Sequence, residues 1–199
     1  MNQHEFTGFV LAGGKSSRMG ADKFALDLKG ESFLTRAANA LKPVCETVKI
    51  VLNQTQEIET ETPIIRDVYA ERGALGAIHA AFKNCETKFA VILAVDLPFV
   101  TSEAIENLTN FALASNKYPA CVPRAADGKP QPLCAVYRVR YCLPSLEKLL
   151  AETETASVRE FLDLVFPKYF DADRLSDDQN LLFNVNFPAD FQKIESLER

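Results

Sequence analysis

Residues 89–96 read FAVILAVD, seven apolar residues in succession closed by a carboxylate. A strand with one solvated face alternates apolar and polar residues. An unbroken apolar run belongs to a strand covered on both faces, the condition of a mostly parallel sheet sandwiched between helices. The first half of the chain fits that constraint. FTGFVLA (6–12), TVKIVLN (47–53) and TPIIRD (62–67) read as further strands. Between them, SFLTRAANALK (32–42) carries a helical stripe of Phe33, Leu34, Ala37, Ala38 and Leu41, and GALGAIHAAFK (73–83) one of Leu75, Ile78 and Phe82. TSEAIENLTNFALA (101–114) reads as a helix with Thr101 or Ser102 as N-cap and Glu103 in its first turn. This alternation predicts a three-layer α/β fold with a mostly parallel central sheet. Beyond residue 115 the pattern loosens. ACVP and PLCAVYRV read as strands around a RAADGKPQ loop, YCLPSLEKLLAE and SVREFLDLV as helices, then a short strand near FNV and a last helix from about Pro188. With no internal repeat or linker, residues 1–199 are expected to form a single domain.

The chain is 47% apolar, enough for a packed core, and its formal net charge is −5. That balance argues against a general nucleic-acid surface, which needs a basic excess, and no strand carries the aromatic-basic pattern of an RNA-binding module. The cysteines, at 45, 85, 121, 134 and 142, are odd in number and form no C-x-x-C; with only His4 and His79 besides, a zinc site or disulfide framework has little support. Free thiols in a reducing compartment are expected. MNQHEFTG lacks the features of a signal peptide, and no apolar run approaches a membrane span, so a cytoplasmic location and no membrane partner are expected.

Against this acidic background one stretch is basic: LAGGKSSRMGADK, residues 11–23, directly after the first strand. Ligands of open parallel sheets gather at the carboxyl ends of strands. Gly13 and Gly14 permit close backbone approach to phosphate oxygens, and Lys15, Arg18 and Lys23 can neutralise them. The alternative is a solvated surface loop; two glycines and three cations behind a buried strand favour phosphate. The spacing matches neither the P-loop G-x-x-x-x-G-K-[ST] nor the dinucleotide G-x-G-x-x-G.

The stretch instead resembles L-A-G-G-x-x-x-R-M-G-x-D-K, the signature of the molybdenum cofactor guanylyltransferases, the MobA family, within the nucleotidyltransferase superfamily. Every fixed position matches: Leu11, Ala12, Gly13, Gly14, Arg18, Met19, Gly20, Asp22 and Lys23. IVLNQ resembles the family's second-strand segment with Asn53, IIRD that with Asp67, RGALGAI its G-P-L-[AG]-G-I, VILAVDLPFV its D-x-P segment with Asp96, QPLCAVY a P-L segment, and FNVNFPADF its N-V-N-T-P. Three positions depart from the pattern: Ala74 stands for proline, Ala77 for a common glycine, and Phe187 for a threonine that would cap the helix at Pro188.

The resemblance implies a Rossmann-like nucleotidyltransferase fold, with a nucleotide-binding part over about 1–115 and a cofactor-substrate part over about 116–199. It implies transfer of GMP from GTP to molybdopterin, with pyrophosphate released. Arg18, Lys23 and Asp96 would be catalytic, the cations stabilising the triphosphate and leaving pyrophosphate and Asp96 holding Mg2+. Leu11, Ala12, Gly13, Gly14, Lys23, Asn53, Asp67 and Asp96 would bind GTP, and Asn184 and Asn186 the pterin or the metal site. On residue chemistry alone Asn53 and Asp67 also suit turns, Asp96 also suits a helix cap, and which residue reads the base stays open. Handover of molybdopterin from a molybdenum-insertion protein is expected. A cytidylyltransferase acting on molybdopterin, or a sugar-phosphate nucleotidyltransferase, would use similar loop physics. A non-catalytic nucleotide-binding regulator is the reading of another class, and retention of Asp96 and Lys23 speaks against it.

Overall fold

The computed structural model describes residues 3–13 and 23–197. Its strands are β1 (Phe6–Leu11), β2 (Asp27–Leu28), β3 (Glu31–Ser32), β4 (Thr47–Leu52), β5 (Ile64–Arg66), β6 (Phe89–Ala94), β7 (Ala120–Arg124), β8 (Cys134–Arg138) and β9 (Lys168–Asp171). Its helices are α1 (Phe33–Leu41), α2 (Ala74–Lys83), α3 (Ser102–Ala114), α4 (Val139–Glu152), α5 (Val158–Val165) and α6 (Pro188–Leu197). Seven strands form one sheet in the order β5-β4-β1-β6-β8-β7-β9, with β2 and β3 pairing separately. Every neighbouring pair of that sheet is parallel except the two made by β8, which runs against both β6 and β7.

The unbroken apolar strands are explained by two cores. In β6, Phe89, Val91 and Leu93 pack on one face with α1, α3 and α6. Ala90 and Ile92 pack on the other with α2, α4 and α5. β1 divides likewise, Phe6 and Val10 to the first core, Phe9 and Leu11 to the second. Period-2 side-chain alternation with apolar residues at both phases thus demands helices on both sides. Among the described residues no helix is long and apolar enough to cross a membrane.

The chain leaves β1 for β4 and β5 on one side, then returns through α2 to β6 on the other. The carboxyl ends of β4, β1 and β6 therefore flank a topological switch point, where open α/β sheets form their ligand crevice. Helix starts follow their sequence signals. The Thr101 hydroxyl accepts from Ala104 N at the head of α3, and Ser157 with Glu160 forms a capping box at α5. Two elements were not predicted, the β2–β3 hairpin and β9, the edge strand parallel to β7. One expected strand is absent: residues 183–186 form no strand. The segment makes one backbone bond toward the sheet side, Val185 N to the Asp96 carbonyl at 3.0 Å, and turns at Phe183, whose N–H goes to Asn180 O.

Candidate active site

A cavity of about 680 Å³ opens at the carboxyl edge of the sheet. Four strand exits build it. Leu11, Ala12 and Gly13 follow β1, Asn53 to Thr55 follow β4, Asp67 follows β5, and Val95 and Asp96 follow β6; Gly73, Ala74 and Ala77 at the start of α2 close it. The structure thus brings Leu11, Ala12, Gly13, Asn53, Asp67 and Asp96 to one cavity. Gly14 and Arg18 lie outside the described residues, as does the side chain of Lys23, whose backbone begins a single 3-10 turn.

Backbone bonds sew the exits together. Ala12 N and Gly13 N both donate to Val51 O, at 3.0 and 3.1 Å, and Val95 N donates to Leu11 O at 3.1 Å. The Gly13 amide is therefore engaged by β4. What the absent side chain permits is close approach, since a Cβ there would stand 3.0 Å from Asn53 N and 3.3 Å from the Leu52 carbonyl carbon.

Asn53 is half turn-former and half candidate ligand. Its Oδ1 accepts from Thr55 N (2.9 Å), Thr55 Oγ1 (3.1 Å) and Gln56 N (2.9 Å), an Asx turn that shapes the β4 exit. The Nδ2 donor is the part of the side chain it can offer a ligand. The β4 and β5 exits are then tied: Arg66 donates through Nη1 to the carbonyls of Asn53 and Gln56, and Gln54 Nε2 donates to Asp67 O at 2.6 Å.

Asp67 is buried. Its Oδ1 accepts from Tyr69 N at 2.7 Å. Burial raises its pKa above the ordinary 3.8, while the Tyr69 N–H and nearby His79 pull it down. It rests against α2 at Gly76, where an added Cβ would sit 2.6 Å from both carboxylate oxygens. A buried carboxylate with one N–H partner has acceptor capacity left for a ligand's N–H or hydroxyl groups.

Asp96 lies two residues beyond β6 and is half-buried in the cavity wall. It does not cap α3, which begins at Thr101's own hydroxyl cap. Asn184 and Asn186 do not line the cavity. They flank buried Val185, whose N–H reaches Asp96 O, so both sit beside the Asp96 backbone. The head of α6 is secured despite Phe187: Asp190 Oδ2 accepts from Asn186 N (2.9 Å) and Phe187 N (2.8 Å). His79 does not line the cavity; its ring stands edge-on to Tyr69.

Sequence reasoning missed Gln54, Thr55, Glu71 and Gly73 as cavity residues. Gln54 and Thr55 follow Asn53 directly, and their neighbourhood was the only signal. The departures Ala74 and Ala77 both line the cavity, so their methyl groups occupy its wall.

Comparison with known proteins adds family and fold. The family described as MobA-like NTP transferase domain matches residues 8–168. The chain is 34% identical over 192 residues to a protein of Pelotomaculum thermopropionicum named probable molybdenum cofactor guanylyltransferase, covering 94% of this chain and 90% of that one. A protein of the same name from Geobacillus sp. is 29% identical over 197 residues, covering 96% and 98%. The crystal structure of molybdopterin-guanine dinucleotide biosynthesis protein A from Archaeoglobus fulgidus shares the fold, with a TM-score of 0.81 at 24% identity over 96% of this chain and 97% of that one. So does 2-C-methyl-D-erythritol 4-phosphate cytidylyltransferase from Thermus thermophilus, with a TM-score of 0.70 at 12% identity, covering 96% and 98%.

Proposed function

This chain belongs to the MobA-like NTP transferase domain family, and from that premise we propose that it transfers GMP from GTP to molybdopterin, forming the guanine dinucleotide cofactor and releasing pyrophosphate. The observation that carries the proposal is the convergence of four strand exits on one cavity, with Asn53, Asp67 and Asp96 in its wall. The guanine assignment is supported by relatives of about this length that bear the guanylyltransferase name.

In the reaction an oxygen of molybdopterin's terminal phosphate forms a bond to the α-phosphorus of GTP. The bond from that phosphorus to the α–β bridging oxygen breaks, and pyrophosphate leaves with the electron pair. The nucleophile is ionised near neutral pH, so no general base is required, and catalysis rests on positioning and charge neutralisation. The exits of β1 and β4 hold the nucleotide. Asp67 and the Asn53 Nδ2 group are suited to the N–H edge of a base or to ribose hydroxyls. Arg18 and Lys23 neutralise the triphosphate and departing pyrophosphate, and Asn184 and Asn186 meet the pterin substrate beside Asp96.

Asp96 is the magnesium ligand of this proposal. No group of three or more His, Cys, Asp or Glu side chains that could hold a metal occurs among the described residues. A half-buried carboxylate suits Mg2+, which takes one or two carboxylates and fills its remaining positions with phosphate oxygens and water. When bound, the ion offsets repulsion between the two anionic substrates.

Molybdopterin is labile, so delivery by a molybdenum-insertion protein belongs to the same reading. So does a cytoplasmic setting. All five cysteines are free, and burial raises the thiols of Cys45, Cys134 and Cys142 to about 12, which keeps them protonated.

The test is pyrophosphate release on mixing protein, Mg2+, molybdopterin and one nucleoside triphosphate. Release with GTP and not CTP is expected. Release with CTP alone makes it a cytidylyltransferase, and GTP binding without turnover makes it a regulator.

A further inference from the structure

The segment 67–73 joins β5 to α2 and contributes Asp67, Glu71 and Gly73 to the cavity. Two of its bonds are local. Tyr69 N donates to Asp67 Oδ1 at 2.7 Å, and Arg72 N closes a turn on Tyr69 O at 2.8 Å. The segment's first residue is tied to β4, Asp67 N donating to Leu52 O at 2.9 Å and Gln54 Nε2 to Asp67 O at 2.6 Å, and farther along the Arg72 side chain fastens it to α4. Its Nη1 donates to Thr153 O and its Nη2 to Leu150 O, the latter at 3.0 Å. These carbonyls belong to the last turn and C-cap of α4, where helix carbonyls lack intrahelical partners and the helix dipole is negative. A half-buried guanidinium spanning two such acceptors satisfies both and places its charge favourably.

We infer that Arg72 is a positioning residue of the nucleotide site: by clamping the 67–73 strap to the end of α4, it holds Asp67 and Gly73 in the cavity wall. The clamp acts within the helix layer that α2 and α4 share rather than along the chain, since its two bonds join residues 81 and 78 positions apart. Gly76 makes the arrangement sensitive. The Asp67 oxygens and Tyr69 carbonyl pack against that helix turn within 2.6–2.7 Å of where a Cβ would stand, so the strap and α2 fit together with no room to spare. Arg72 touches no ligand in this scheme. Its influence falls on the part of the nucleotide that Asp67 meets, and not on the triphosphate, which the loop after β1 receives.

The inference rests on the nucleotide-site reading, and the experiment separates the two. Calorimetric Kd values are measured with Mg2+ for GTP, CTP and inorganic tripolyphosphate, on wild type, Arg72→Ala and Arg72→Lys. The inference predicts that Arg72→Ala weakens the wild type's preferred nucleotide about tenfold while tripolyphosphate affinity stays within about twofold. Arg72→Lys, with charge kept and the two-armed geometry lost, is predicted to fall between. Unchanged nucleotide affinity in Arg72→Ala would overturn the inference, as would an equal loss for nucleotide and tripolyphosphate, which marks a general structural defect. If Arg72→Ala does not fold, Arg72→Lys is judged by the same ratio. A wild type that binds neither nucleotide overturns the nucleotide reading and the inference with it.

Discussion

At the scale of single residues, Gly76 and Asp67 form one unit. The glycine is cheap to question because alanine is the better helix former by about 1 kcal/mol. Here the added methyl would meet two carboxylate oxygens at 2.6 Å and the Tyr69 carbonyl at 2.7 Å. Overpacking of this kind costs roughly 1–3 kcal/mol, and relief requires moving Asp67. Gly76→Ala is therefore expected to lower stability in urea melts despite its helix propensity, and to weaken GTP binding in the same preparation. The cavity residues Asn53, Asp67 and Asp96 were legible because each is a polar group at the exit of an apolar strand. What was not legible is how each is occupied. The Gly13 amide bound to Val51 depends on β1 and β4 lying side by side, and the local Asx turn that consumes Asn53 Oδ1 could be read only as one of two uses of that side chain.

At the scale of elements, caps and apolar stripes carried the reading. Thr101 stands where its pattern places it, while the Ser157–Glu160 box at the head of α5 was not read from the sequence. Strand ends were read long. FAVILAVD extends to residue 96, yet β6 ends at Ala94, because after a last bond from Val95 N to Leu11 O the chain turns into the cavity wall. β9 escaped because KYFD is short and is held by its parallel partner β7, a tertiary contact with no local signal. At α6 the missing threonine cap is replaced from within the helix by Asp190. Removing that carboxylate in Asp190→Ala leaves the N–H groups of Asn186 and Phe187 without it, and should cost about 1–2 kcal/mol. Differential scanning would show this as a Tm lower by roughly 2–8 °C.

At the scale of the whole molecule, two cores clasp one sheet, and the cavity sits where the chain changes direction around β1. The second core holds a titratable group. His79, on α2, is buried, with Nε2 3.6 Å from Glu147 Oε1 on α4. Burial lowers its pKa below the ordinary 6.5. Glu147 and Asp67 oppose that shift, and Lys83 adds to it. A depressed histidine pKa means the unfolded chain takes up a proton before the folded one does. Stability is then undiminished above about pH 6.5 and falls as pH drops from there toward the folded pKa. His79→Gln should flatten that slope in denaturant melts below about pH 6.5, whatever its effect at neutral pH. The fold class was legible at this scale from doubly covered strands alone. The pairing of α2 with α4, which sets both the His79 surroundings and the Arg72 clamp, was not, because it joins segments far apart in the chain. The central claim is that this cavity binds a guanine nucleotide for transfer, and thermal stability with Mg2+ and each of GTP, ATP, CTP and UTP tests it most directly. At about a hundredfold excess over Kd, bound ligand adds about 2.7 kcal/mol, or roughly 5–10 °C in a chain of this size. A shift of that order with GTP, and none with the other three, is the predicted result; a shift with CTP alone, or with no nucleotide, would contradict the account.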